Sequence, residues 1–234
     1  MTLRRPPRVG AVVFDLDGTL VDSRPDIAAA VNRTRADLGL APLSLESVGA
    51  MMGEGSRNLV RRALAVPLQR PAPAPEVDEV LFEGAHARFL VHYAAVCTAE
   101  TRAYAGIDEV LADFGRRWPL ALLTNKPIAM TRALVAALGW EGHFRAVVGG
   151  DSLPHRKPDP RGLLEVAAGL GVAPQAVVLV GDSRIDAETA AAAGTTFLWV
   201  EWGYALPEDR EKLANGPSAS SPSALRAWFE SLPQ

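Results

Sequence analysis

Two aspartates, Asp15 and Asp17, stand two residues apart where the apolar run Val9–Phe14 stops. Like charges that close repel and gain nothing as packing, so the pair suits either a turn or a bound cation. Three other apolar runs end in similar chemistry. Thr124 and Asn125 follow Leu120–Leu123, Gly181 and Asp182 follow Val177–Val180, and Lys157 lies on the loop after Ala146–Val148. If these runs are parallel strands of one sheet, their carboxyl ends share the edge where open α/β sheets bind ligands. Three carboxylates crowded there repel, and a hard dication relieves the repulsion. Mg²⁺ suits such a place, since it takes a few carboxylate oxygens together with water and substrate phosphate. Lys157, Thr124 and Asn125 then fit a second anion, a phosphoryl group bridged to the metal.

The elements that must hold these residues are legible from periodicity. The short apolar runs, with Phe197–Val200 as a fifth, read as strands buried on both faces, the mark of a parallel sheet. Helical spacing lies between them, at Ile107, Val110, Leu111 and Phe114, at Ala133, Leu134, Ala137 and Leu138, and from Leu163 to Leu170. Gly171 and Gly194 fall where helices end. Alternating strand and helix predicts a doubly wound α/β domain. The stretch from Pro25 to Cys97 breaks the alternation with helical patterns only, led by Ile27, Val31 and Leu38, by Leu59, Val60, Ala63 and Leu64, and by Val77, Val80, Leu81 and Val91. The prolines 67, 71, 73 and 75 divide the last two. The expected division is a core of residues 1–21 and 101–234 with an inserted helical domain at 22–100. The segment "PSASSPS" lacks the apolar residues of a strand, and a short helix is expected around Leu225 to Leu232.

Composition sets outer bounds. The chain has 234 residues, 48% of them apolar, and a net charge of −3, which gives no general pull towards nucleic acid or anionic membrane. The basic start "MTLRRPPR" precedes an apolar run too short for an export signal, and no stretch has the roughly 18 apolar residues of a membrane span. A single cysteine, Cys97, excludes an intrachain disulfide and fits a reducing cytoplasm. The expected partner is a small phosphorylated metabolite, with no nucleic acid or membrane, bound by a monomer or homodimer.

Plainer readings compete for single residues. "DG" at Asp17–Gly18 is a turn signal, compatible with a strand end. Ser183 and Asp186 are spaced as a capping box with aspartate in the third place, as good an account of Asp186 as a functional one. Lys126, beside Asn125, reads as a solvated lysine. His86 and His92 fall on different helix faces, His143 and His155 stand alone, and no Cys/His cluster has zinc spacing.

Taken together, "DLDGTLVDS", "LLTNKP", "HRKPDP" and "VGDSRID", in this order, resemble the four motifs of the haloacid dehalogenase superfamily. Within it "TNKP", "KPDP" and "VGDSRIDAETAAAAG" are most similar to the phosphoglycolate phosphatase group, and "MMGEGSRNLVRRAL" resembles the loop and helix of that group's small helical cap. The resemblance implies a Rossmann-like core with a cap and a Mg²⁺-dependent phosphomonoesterase working through an aspartyl-phosphate. It implies Asp15 as nucleophile and metal ligand, and Asp17 as general acid and base that also ligates through its backbone carbonyl. Lys157 would offset phosphoryl charge, Thr124, Asn125 and Gly18 would contact the phosphoryl group, and Asp182 and Asp186 would complete the metal site, Asp186 as ligand or outer-sphere partner.

Rival activities thin out on the same residues. A dehalogenase needs no acid at position 17, and a phosphonate hydrolase needs an amine that the lysine-free stretch Ser23–Val96 lacks. A sugar phosphomutase, or a phosphatase for sugar or nucleotide monophosphates, stays open. A phospho-accepting receiver module has similar strand-end residues but no inserted domain. If the substrate is 2-phosphoglycolate, its carboxylate needs a cation, for which Arg57 is the candidate, with Arg61 or Arg62 behind it.

Overall fold

The computed structural model describes residues 8–66 and 78–232. The expectations for the basic start, the four prolines and Val77 lie outside the described residues. Strand β1 (Ala11–Phe14) leads to a short β2 (Val21–Asp22) and then to four helices: α1 (Arg24–Asp37), α2 (Leu45–Gly49), α3 (Ser56–Ala65) and α4 (Glu79–Ala94). The chain returns through β3 (Arg102–Ala103), antiparallel to β2. It then alternates through α5 (Ile107–Arg117), β4 (Leu120–Leu123), α6 (Ile128–Ala137), β5 (Phe144–Val148), α7 (Arg161–Gly169), β6 (Val177–Gly181), α8 (Arg184–Ala193) and β7 (Thr196–Val200). Helix α9 (Pro207–Leu213), β8 (Ser218–Ala219) and α10 (Pro222–Glu230) follow.

Six strands form one parallel sheet in the order β5-β4-β1-β6-β7-β8. Strand β1 is central because both its faces are apolar. Val12 and Phe14 pack with Phe114, Leu134 and Phe229 on one side, while Ala11 and Val13 pack with Leu163, Val166 and Ala190 on the other. This two-residue alternation buries every side chain of the strand. From β1 the chain first builds outwards through β4 and β5, then crosses back to β6, so the strand order reverses between β1 and β6. A crevice at such a reversal is where ligands bind in folds of this kind.

The four helices between β2 and β3 have a core of their own, built on Ile27, Val31, Val60, Leu64, Phe82 and Phe89. Met130 of α6 joins that core and couples it to the sheet domain. Asp26, in the first turn of α1, ties the outgoing chain to the returning one. It is buried and accepts from Thr101 N at 2.8 Å, Thr101 Oγ at 2.7 Å and Glu100 N at 2.9 Å.

Three expectations need correction. "PSASSPS" does contribute an edge strand, because Trp199 N bonds Pro217 O and Glu201 N bonds Ala219 O, each at 3.0 Å. Backbone pairing and one bond from Ser218 Oγ to Glu201 Oε1 at 2.6 Å make this strand, and only Ala219 is buried. Strand β5 is the opposite edge and is only half-buried, not covered on both faces. Helix α4 buries Phe82, Ala85, Phe89 and Tyr93 and leaves Val80 and Val91 at 84% and 70% exposure. The aromatic stripe removes more apolar area from water than the valines do, and it decides the rotation.

Candidate active site

Asp15 continues β1 by one residue, its N–H donating to Val180 O at 3.0 Å. The chain then turns tightly, with Leu16 O accepting from Thr19, Leu20 and Val21. Leu16 is wholly buried, while Asp15 and Asp17 on either side of it face one pocket. The turn needs Gly18, whose φ is +84° and whose added Cβ would lie 2.3 Å from Asp182 Oδ2. Gly18 thus makes room for a neighbouring carboxylate.

The ends of β1 and β6 and the loop after β5 meet as a buried ionic cluster. Lys157 Nζ lies 2.9 Å from Asp15 Oδ1 and 2.6 Å from Asp186 Oδ1. Asp186 Oδ2 accepts from Ser183 N at 3.1 Å and Ser183 Oγ at 2.6 Å, which completes the capping box of α8. The capping reading of Asp186 therefore holds, and its other oxygen is left to hold the lysine. Asp182 accepts from Tyr204 N at 2.6 Å and Thr19 Oγ at 3.2 Å.

Three carboxylates against one ammonium leave an excess of negative charge with little water near it. Burial raises the Asp15 carboxyl from 3.8 to about 6, opposed by Lys157 and reinforced by Asp186. Burial, then Asp186 and Asp15, push Asp182 well above its ordinary value. Burial alone would discharge Lys157, but Asp15 and Asp186 outweigh it and raise its pKa. Oxygens of Asp15, Asp182 and Asp186 all lie within 4.8 Å of one another. Hard oxygen donors at this spacing, with uncompensated charge, fit a divalent cation. Asp15 and Asp182 are the better-placed ligands, because both line the pocket and Asp186 does not.

Thr124 and Asn125, buried at the end of β4, line the same pocket. Asn125 Nδ2 donates to Lys157 O at 3.0 Å and to Gly53 O at 3.2 Å, so its amide joins the lysine loop to the helical insert. Its Oδ1 is buried and unpartnered. Ile27, Met52, Leu59, Phe89 and Tyr93 close the pocket from the insert, enclosing about 80 Å³.

Two lysine and arginine readings change. Lys126 is not solvated: its side chain is 1% exposed and its Nζ lies 2.9 Å from Asp17 Oδ1. Local sequence carries no sign of this, because the partner that buries it, Tyr93, lies 33 positions away on α4. Arg57 does not reach the pocket. Its guanidinium donates to Glu83 Oε2 at 3.1 Å and stacks over Phe82 at 4.7 Å, on the outer side of α3. Arg61 and Arg62 also point to glutamates, Glu79 and Glu54. Replacing Arg57 with alanine is expected to leave kcat/KM within about threefold of wild type for charged and neutral phosphate esters alike. A selective rise in KM for acidic esters would return Arg57 to the site.

The haloacid dehalogenase-like hydrolase family model matches residues 9–194, and the chain belongs to that family. It is a hydrolase with the family's parallel-sheet fold. Among curated relatives, phosphoglycolate phosphatase of Cereibacter sphaeroides (strain ATCC 17025) is 44% identical over 194 residues, covering 82% of this chain and 85% of that one. The Pseudomonas putida enzyme of the same name is 42% identical over 199 residues, covering 82% and 70%. A crystal structure described as a predicted phosphoglycolate phosphatase of Haemophilus somnus superposes with a TM-score of 0.84 at 28% identity, covering 94% of this chain and 98% of that chain. No helix among the described residues is long and apolar enough to cross a membrane.

Proposed function

We propose that the chain is a Mg²⁺-dependent phosphomonoesterase that hydrolyses 2-phosphoglycolate to glycolate and phosphate. The observation that carries this reading is the buried Asp15 carboxylate, held against Lys157 beside Asp182 at the strand-order reversal. Asp15 attacks phosphorus and the bond to the leaving oxygen breaks, giving an aspartyl-phosphate. Asp17, on the same wall, protonates the departing alkoxide and then takes a proton from the water that attacks phosphorus. Cleavage of the phosphorus bond to Asp15 returns the free carboxylate. Lys157 offsets charge on the transferring oxygens, while Thr124 and Asn125 orient them and Gly18 shapes the turn around them. When bound at Asp15, the Asp17 carbonyl and Asp182, Mg²⁺ supplies positive charge that the carboxylates lack; Asp186 acts outside that shell by fixing Lys157.

The small enclosed space supports a small leaving group. About 80 Å³ is far below the ~300 Å³ or more typical of sites for drug-sized ligands, which disfavours nucleotide monophosphates and bisphosphorylated sugars. The two curated relatives described above are phosphoglycolate phosphatases, and this also supports the substrate. The enzyme is placed in the cytoplasm, as its lone cysteine suits, and works as a monomer or homodimer.

Phosphate release from a panel of phosphomonoesters tests the reading. With Mg²⁺, 2-phosphoglycolate should rank among the best by kcat/KM, and chelation should lower the rate by at least ~100-fold. A nucleotide as best substrate would overturn the substrate assignment. Undiminished activity after metal removal would overturn the mechanism.

A further inference from the structure

Lys126 is a cation on the pocket wall to which the hydrolysis above gives no task. Its ammonium contacts Asp17 Oδ1 and Oδ2 at 2.9 and 3.2 Å and hydrogen-bonds the Tyr93 hydroxyl. A buried lysine is costly unless well partnered, and the three donors of this ammonium meet the two oxygens of one carboxylate and one phenol, partners that leave its charge beside the reacting centre. Around it the helical insert supplies apolar walls, Leu59 and Phe89 among them. Among the described residues that line the pocket, Lys126 is the cation; Arg57, Arg61 and Arg62 face glutamates elsewhere.

We propose that Lys126 recognises a second anion on the substrate, the carboxylate of the leaving group, while the phosphoryl group lies at Asp15. The proposal rests on the phosphomonoesterase reading and deepens it by assigning the leaving-group subsite. The placement follows from the partners. Asp17 serves the leaving oxygen, and Lys126 sits against Asp17 while Lys157 sits against Asp15, each lysine holding a different aspartate. A carboxylate one carbon beyond the ester oxygen arrives next to Asp17 and meets this ammonium. The Tyr93 hydroxyl comes from α4, so the subsite is complete only where the insert closes on the sheet domain.

Near-isosteric ester pairs differing by one carboxylate test this: 2-phosphoglycolate against 2-hydroxyethyl phosphate, and 3-phosphoglycerate against glycerol 3-phosphate. The wild type should prefer the charged member. In Lys126→Met the ratio of kcat/KM for charged over neutral members should fall by roughly 50-fold, the worth of a charge-assisted hydrogen bond in a buried site, mainly through KM. Lys126→Arg should largely retain the ratio. Should Lys126→Met turn over too slowly, calorimetry in an Asp15→Asn background replaces it: the Met variant should weaken 2-phosphoglycolate binding far more than inorganic phosphate binding. An equal fall for both members, or equal weakening of both ligands, overturns the proposal and leaves Lys126 a structural partner of Asp17. Preference for 3-phosphoglycerate alone overturns the substrate named above while testing Lys126 on that pair. Wild-type preference for neutral members overturns both.

Discussion

Asp15→Asn is expected to lower kcat by 10⁴-fold or more, on the order of the loss when other enzymes lose a nucleophile, while making the metal-free protein more stable at neutral pH. The two effects share one cause. The folded carboxyl ionises near pH 6 against 3.8 in the ordinary state, because it is buried beside Asp186 and only partly offset by Lys157. A folded acid that holds its proton more tightly than the unfolded one loses stability as pH rises from about 4 to 6. Above that window the deficit is roughly 3 kcal/mol. Asparagine has the same shape and no proton to lose. Urea unfolding at pH 7.5 in chelator should therefore show a higher midpoint for the variant, and the gain should vanish below about pH 4. A variant with near wild-type turnover would remove Asp15 from catalysis. One with no gain in stability would mean that the carboxylate is better solvated than its burial implies.

Lys157→Met should do the reverse to stability. The side chain is 2% exposed and is the ammonium set between Asp15 and Asp186. Removing one partner of a buried ion pair typically costs about 3–5 kcal/mol, more than the pair itself is worth, because charge is left behind without a counter-ion. Here three carboxylates are left. Their remaining remedy is to take up protons, so the variant's stability should fall more steeply between pH 5 and pH 8 than that of the wild type. Activity should drop on the order of 10³-fold, as for loss of one charge-stabilising donor at a transferring group. Midpoints measured at both pH values decide it; a pH-independent loss near 1 kcal/mol would show that solvent reaches the cluster.

How much of this was readable beforehand depends on what each feature rests upon. Apolar runs ending in polar or acidic residues specified β1, β4 and β6 and the meeting of Asp15, Asp182, Lys157, Thr124 and Asn125, because strand direction and sheet order leave one edge for ligands. The spacing of Ser183 and Asp186 specified a cap, but its second bond, to Lys157, depends on a loop 29 positions away. Strand β8 was not expected for want of apolar residues, because main-chain pairing largely makes it and main chain carries no sequence signal. Helix α4 is apolar around most of its circumference, so periodicity alone did not fix the face that Phe82, Phe89 and Tyr93 bury. Lys126 and Arg57 exchanged places for a related reason. A long cationic side chain goes where its partners are, and Tyr93 and Glu83 are set by the packing of the insert.

The transfer of phosphorus to one carboxylate is tested most directly by trapping it. Protein mixed with Mg²⁺ and 2-phosphoglycolate, quenched in acid within milliseconds and reduced with borohydride, converts an aspartyl-phosphate to homoserine that peptide mass spectrometry locates. Homoserine should appear at position 15, and nowhere in Asp15→Asn. Phosphate released at the full rate with unmodified Asp15 at every quench time, or homoserine at another position, would contradict the account.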